Sequence, residues 1–143
     1  MRPCLPNFRI LLIGRRNSYL TCFTQALEGL NYSVRWMDLY EHPPVDDFLR
    51  EEMPDLVVLN CLSIGNEEDQ LITHLLMRNH HLLVVATFLP MEVMRRLFLL
   101  GVDDVTDRPC NPQHLIAILQ QTLKSISWHE PALEEMVRRG NAR

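Results

Sequence analysis

The 143-residue sequence has no long apolar run, no surplus of basic residues and no dense cysteine pattern. No apolar stretch approaches the roughly 20 residues that a bilayer-spanning helix needs. The opening residues, Met1-Arg2-Pro3-Cys4-Leu5-Pro6, carry no signal-peptide apolar region. No membrane contact is therefore expected, and the expected location is cytoplasmic. Lys and Arg total 14 against 18 Asp and Glu, a formal net charge of −4. That balance argues against direct nucleic-acid binding, whose footprint is usually basic. The four cysteines, Cys4, Cys22, Cys61 and Cys110, form no CxxC motif and read as free thiols in a reducing compartment. No glycine-rich phosphate loop, nucleophile–base pair or metal-ligand cluster can be located. Neither enzymatic activity nor a cofactor or metal is expected.

What remains is an ordinary globular composition, 47% apolar and 22% charged. The length suits one domain with a substantial core. Short apolar runs alternate with amphipathic stretches. Phe8–Ile13 reads as a first strand, ended by Gly14. Asn17 can cap a helix to about Gly29, in which Leu20, Phe23, Leu27 and Leu30 recur at helical spacing. Ser33–Met37 reads as a weaker strand nearer an edge, and Val45–Glu52 as a short helix after Pro43-Pro44. Leu56–Leu59 is a continuous apolar run, as in a strand buried on both faces. Asn66, Glu67, Glu68 and Asp69 start a helix with acids that complement its dipole, and Leu71, Ile72, Leu75 and Leu76 give it an apolar stripe. Leu82–Ala86 is another apolar strand. Pro90 opens a helix to about Leu100, which Gly101 ends. Val102–Thr106 is the last strand. Asn111-Pro112 opens a final helix burying Leu115, Ile118 or Leu119, Thr122 and Ile126.

The sum is (βα)5, which implies right-handed crossovers and a parallel sheet covered on both sides. After Ile126 the pattern changes. Trp128-His129-Glu130-Pro131 reads as a break, dividing the chain into a domain at 1–127 and a tail or linker helix at 128–143. In an open α/β sheet the functional crevice lies beyond the carboxyl ends of the strands. The sequence places Gly14-Arg15-Arg16 there after the first strand, Asn60 and Cys61 after the third, Thr87 and Phe88 after the fourth, and Asp107-Arg108-Pro109 after the fifth.

Over about Phe8–Ile126 this order resembles the receiver domain of bacterial response regulators. Pro54-Asp55-Leu56-Val57-Val58-Leu59-Asn60 is similar to the strand leading to the family's phosphoacceptor Asp. Gly101-Val102-Asp103-Asp104 is similar to the entry of its fifth strand, and Arg108-Pro109 to its Lys-Pro. The resemblance implies a flavodoxin-like three-layer sandwich with strand order 2-1-3-4-5 and a role in two-component, phosphorelay-type signal transduction. It also implies a cis peptide at Arg108–Pro109.

The departures bear on chemistry. Gly14-Arg15 stands where the family has an acidic pair, and Asn60 where it has the acceptor Asp. Mg²⁺ needs hard anionic oxygen ligands, and the matched positions offer no carboxylate. An amide is a poor nucleophile, so no aspartyl phosphate can form at Asn60. Arg108 keeps the cation of the family lysine in a planar fork. Thr87 keeps the family's residue type, whereas Phe88 replaces a small residue and is expected to cover the pocket. Val105 takes the place of the aromatic switch residue.

Asn60 itself reads as a strand-end residue bonding nearby amides, with a neutral stand-in for the acceptor as the alternative. Arg15 is either a cation beside Asn60 or a solvated surface residue. Cys61 and Cys110 read as isolated thiols rather than a redox pair, and His80-His81 as turn residues rather than metal ligands. The helix at Met91–Leu100 carries more apolar surface than one buried stripe requires. By the resemblance, a face of helix 4, strand 5 and helix 5 that includes Met91, Met94, Arg95, Phe98 and Val105 would dock a protein partner or a second copy. The expected function is thus a degenerate receiver acting by phosphorylation-independent interaction. The alternatives are a small-molecule or anion sensor using Arg15, Asn60, Thr87 and Arg108, and the receiver part of a longer regulator.

Overall fold

The structure, a computed structural model, describes residues 8–38, 45–109 and 111–141, with side chains described through Ile126. Among these residues strands and helices alternate: β1 (Arg9–Ile13), α1 (Ser18–Gly29), β2 (Ser33–Met37), α2 (Val45–Glu52), β3 (Leu56–Cys61), α3 (Asn66–Met77), β4 (Leu82–Ala86), α4 (Met91–Leu100), β5 (Asp104–Asp107) and α5 (Pro112–Asn141). The strands form one parallel sheet in the order β2-β1-β3-β4-β5. This is the flavodoxin-like arrangement expected from the sequence.

The apolar runs are continuous because the central strands are buried on both faces. Alternation along each strand divides them between two cores. Ile10, Leu12, Leu56, Val58, Leu83 and Val85 pack under α1 and α5, with Leu20, Phe23, Leu27, Leu115 and Leu119. Leu11, Ile13, Val57, Leu59, Leu82 and Val84 pack under α2, α3 and α4, with Leu49, Ile72, Leu75 and Leu97. β2 lies at an edge and is only half-buried along most of its length, as its weaker pattern suggests.

The helix punctuation works as read. The Asn17 side-chain oxygen accepts from the Leu20 N–H at 2.8 Å, and the Asn111 oxygen from the Gln113 N–H at 2.9 Å. Glu68 reaches back to the Gly65 N–H at 2.8 Å. Gly101 closes α4 in the left-handed region, with φ of 106°.

Three expectations need correction. The last strand is Asp104–Asp107, not Val102–Thr106. Asp103 forms a corner instead: its N–H donates to the Leu82 oxygen at 3.0 Å, and its carboxylate accepts from the Leu82 N–H at 2.7 Å. Leu30 leaves the α1 stripe because it caps the helix and is exposed. The backbone of α5 runs to Asn141 without the break expected at 128–131. A proline removes one amide donor and kinks more readily than it stops a helix when good helix formers follow, as Ala132-Leu133-Glu134-Glu135-Met136 do. The readings at residues 1–7, Pro43-Pro44 and Cys110 lie outside the described residues.

Candidate functional site

The crevice beyond the carboxyl ends of the strands is organised by Gly14. Its N–H donates to the Met37 oxygen at 3.0 Å, and its oxygen accepts from Trp36 Nε1 at 3.0 Å. A Cβ at this position would stand 3.0 Å from the Asn60 backbone oxygen and 3.2 Å from Asn60 Cβ. Glycine therefore lets the end of β1 approach the end of β3 closely. The same virtual atom lies 3.3 Å from Leu20 Cδ1, which seats the first turn of α1 over both strand ends.

Asn60 is 8% exposed, and its Oδ1 is shut off from solvent with no hydrogen-bond partner. The expected bonding to nearby amides thus fails for the amide oxygen. Neighbouring N–H groups already serve backbone carbonyls: Gly14 to Met37, Thr87 to Cys61 at 3.1 Å, Phe88 to Leu62 at 2.8 Å and Arg108 to Ala86 at 3.0 Å. A buried polar atom without a partner is rare enough to call for an explanation.

Two guanidiniums flank the α1 turn, each laid over an aromatic ring. Arg16 Cζ sits 4.9 Å from the centre of the Trp36 ring, and Arg108 Cζ 4.8 Å from that of Tyr19. Among the described residues neither forms an ion pair. Arg15 and Thr87 are exposed on the same edge. Tyr19 and Trp36 were not legible as crevice residues, because nothing in their spacing shows that their rings will lie beneath Arg108 and Arg16.

Two carry-overs from the receiver resemblance are corrected here. The described residues contain no cis peptide, so Arg108–Pro109 is trans. The trans form is the intrinsically favoured one. Phe88 is 62% exposed, so its ring does not close the crevice. Its backbone N–H donates to the Leu62 oxygen at 2.8 Å.

Cys61 is buried beside β4, its thiol 3.8 Å from the Val85 oxygen. Burial, with a smaller effect from the Glu68 charge, pushes its pKa up to about 12. Such a thiol is unreactive at neutral pH.

At the other end of the sheet, His81 Nδ1 lies 3.1 Å from Asp103 Oδ1. A cleft of about 260 Å³ is lined by Asp46, Leu49, Arg50, Arg78 and His80. Asp46 Oδ1 accepts from His74 Nε2 at 2.7 Å and faces Arg78 Nε at 3.2 Å. The hydrogen bond from His74 holds the Asp46 carboxyl below its ordinary range, and the His74, Arg78 and Arg50 charges add to this. Burial lowers the His80 pKa, helped by the positive charges of Arg78, His74 and His81. Among the described residues no group of three or more His, Cys, Asp or Glu side chains is placed to hold a metal, and no helix is long and apolar enough to cross a membrane.

On α4 the buried residue is Leu97, with Val93 and Met94 half-buried against the core. Met91 is 68% exposed, Phe98 45% and Leu99 89%. Arg95 is also exposed, whereas Arg96 is tied to Asp69 of α3 at 2.8 Å. Val105 is 5% exposed and belongs to the core beneath α4. Its side chain is therefore removed from the expected docking surface, because alternation on β5 turns it inward.

No protein-family model matches the sequence, and no curated protein matches it. Solved structures do match the fold. A response regulator from Thermotoga maritima superposes with a TM-score of 0.71 at 18% identity, covering 82% of this chain and 98% of that one. A response regulator receiver domain protein from Methanospirillum hungatei gives 0.65 at 20% identity, covering 84% and 96%. NtrX from Brucella abortus gives 0.76 at 14% identity, covering 93% of this chain and 30% of that one. The chain is thus similar in fold to response regulator receiver domains.

Proposed function

We propose that this chain is a receiver-like module of two-component signalling that acts through protein–protein contact and not through an aspartyl phosphate. The observation that carries this reading is α4. Met91, Phe98, Leu99 and Leu100 expose large apolar surface on one short helix, more than a surface helix normally leaves to water. The crevice supports the second half. The positions that resemble the receiver's acidic pair and acceptor are Gly14, Arg15 and Asn60, which offer neither a carboxylate for Mg²⁺ nor a nucleophile. The docking face comprises Met91, Met94, Arg95 and Phe98 of α4 with the neighbouring surface of β5 and α5, and its occupant is a second copy or another protein. The module contacts nucleic acid only through such a partner.

The test is the solution mass of the wild-type chain and of Phe98→Glu/Leu99→Glu, with and without Mg²⁺ and acetyl phosphate. Concentration-dependent association that the double variant abolishes is expected, together with no added phosphoryl mass. A phosphoryl adduct on the chain, or an unchanged association in the double variant, overturns the reading. The uninterrupted α5 (Pro112–Asn141) favours a second reading, in which 128–141 continues as a linker helix and the module is the receiver part of a longer regulator.

A further inference from the structure

We propose that α4 pairs with α4 of a second copy of this chain, antiparallel across a twofold axis, with Glu92 of each protomer facing Arg95 of the other. The proposal rests on the reading of α4 as the docking face and commits that face to one occupant. At 3.6 residues per turn, Glu92, Arg95 and Leu99 fall within about 60° of one another around the helix. Leu97, the buried residue of α4, lies on the opposite side. The outermost line of the helix is thus an acid, a base and a leucine. All three are exposed, Leu99 by 89%. Met91 and Phe98 flank that line on one side and are exposed as well.

The two charges are not used within the chain. Glu92 and Arg95 stand at i and i+3, where side chains can pair along a helix. Yet among the described residues neither forms an ion pair. Neighbouring Arg96 does, with Asp69 of α3 at 2.8 Å. One arginine therefore ties α4 to the fold and the other faces outward. Glu92, in the first turn, also complements the helix dipole, a role that Arg95 does not share.

What singles out a second copy is that this line complements its own image. A twofold axis perpendicular to the helix, passing between Val93 and Met94, reverses the order of the charges and sets Glu92 against Arg95 twice. A twofold along the helices sets Glu92 against Glu92 and Arg95 against Arg95, so the charges select the antiparallel orientation. They also select the register. Moving the axis to Arg95 aligns Met91 with Leu99 but brings the two Arg95 side chains together. In the selected register Leu99 extends past Glu92 of the other protomer toward Phe88, which precedes α4 and is 62% exposed. Val105 is turned into the core, which leaves the apolar contact to α4. Glu92 and Arg95 cancel, so the chain's surplus of acids, 18 against 14 basic residues, does not oppose contact along this line.

The test is sedimentation equilibrium of the full chain over a range of concentrations, for the wild type, Glu92→Arg, Arg95→Glu and the double reversal Glu92→Arg/Arg95→Glu. Wild-type dimers are expected. Each single reversal puts two like-charged pairs into the interface and should weaken dimerisation about tenfold. The double reversal should restore it, and an equimolar mixture of the two single variants should form a heterodimer. High salt should shrink these differences. Thermal unfolding of each variant separates lost pairing from lost folding. Phe98→Glu/Leu99→Glu separates this pairing from the reading it rests on. Dimers that this variant abolishes, but that the single reversals leave unchanged or the double reversal fails to restore, overturn the Glu92–Arg95 pairing and keep α4 as the docking face. Dimers that Phe98→Glu/Leu99→Glu leaves unchanged overturn both. A wild-type chain that stays monomeric overturns the second copy as occupant.

Discussion

The two ends of the sheet treat their polar groups in opposite ways. At the amino end, charged side chains are tied into the backbone or to each other. Asp55 accepts from the Arg9 N–H at 2.7 Å, Asp103 holds both His81 and the Leu82 N–H, and Asp46 gathers His74 and Arg78. At the carboxyl end, Asn60 Oδ1 has no partner, and Arg16 and Arg108 lie over rings without an ion pair among the described residues. Stability alone accounts for the first end. A buried amide oxygen without a partner opposes stability, whereas the exposed guanidiniums gain from the rings beneath them.

The contrast predicts substitutions of opposite sign. The largest effect belongs to Asp103→Ala. It leaves the Leu82 N–H, on a fully buried residue, without its acceptor, and detaches the β5 entry from β4. A loss of about 1–3 kcal/mol is expected, measured by urea unfolding, with Asp103→Asn recovering part of it. A loss below about 0.5 kcal/mol would make this corner dispensable and erase half of the comparison.

Asn60→Leu should do the reverse. Leucine has a similar branched shape, removes the orphaned oxygen and extends the apolar lining already formed by Leu20 and Val58. A gain of about 1 kcal/mol is expected, because replacing an unsatisfied polar group by an apolar one of like shape lifts its desolvation penalty. A destabilised Asn60→Leu protein would mean that the amide already serves the fold, and the carboxyl end would lose its claim to be functional.

The sequence made one end of this contrast easier to read than the other. Continuous runs such as Leu56–Leu59 and Leu82–Ala86 announced doubly buried strands, and Asn17, Gly101 and Asn111 announced helix ends, because those signals act within a few residues. Gly14, Asn60, Thr87 and Arg108 were legible as crevice residues, since topology alone sends strand ends there. The stacking of Arg16 on Trp36 and of Arg108 on Tyr19 was not, because it joins residues 20 and 89 positions apart. The orphaned Oδ1 was not legible either. It arises from where the neighbouring amides donate, a property of register and not of residue type. Val105 was misplaced for a related reason: a position beside an exposed helix says nothing about which way a strand residue faces.

The two ends should also separate under titration. His80 has its pKa lowered in the folded state, so the unfolded chain binds more protons just below the ordinary imidazole value. Stability attributable to His80 is therefore present above about pH 6.5 and declines as the pH falls toward the lowered folded value. Asp46 has a lowered carboxyl pKa. Its contribution is present above the unfolded carboxylate value and is lost as the pH falls through the folded one. Denaturant midpoints measured across pH should thus show two successive losses, both at the amino end. His80→Gln should remove the upper one and Asp46→Asn the lower. Arg108→Gln should leave the profile's shape unchanged, because Arg108 is not among the charges that act on His80 or Asp46. A profile altered by Arg108→Gln would tie the crevice cations into the acid–base balance of the fold. They would then serve stability as the amino-end charges do, and the asymmetry between the two ends would be gone.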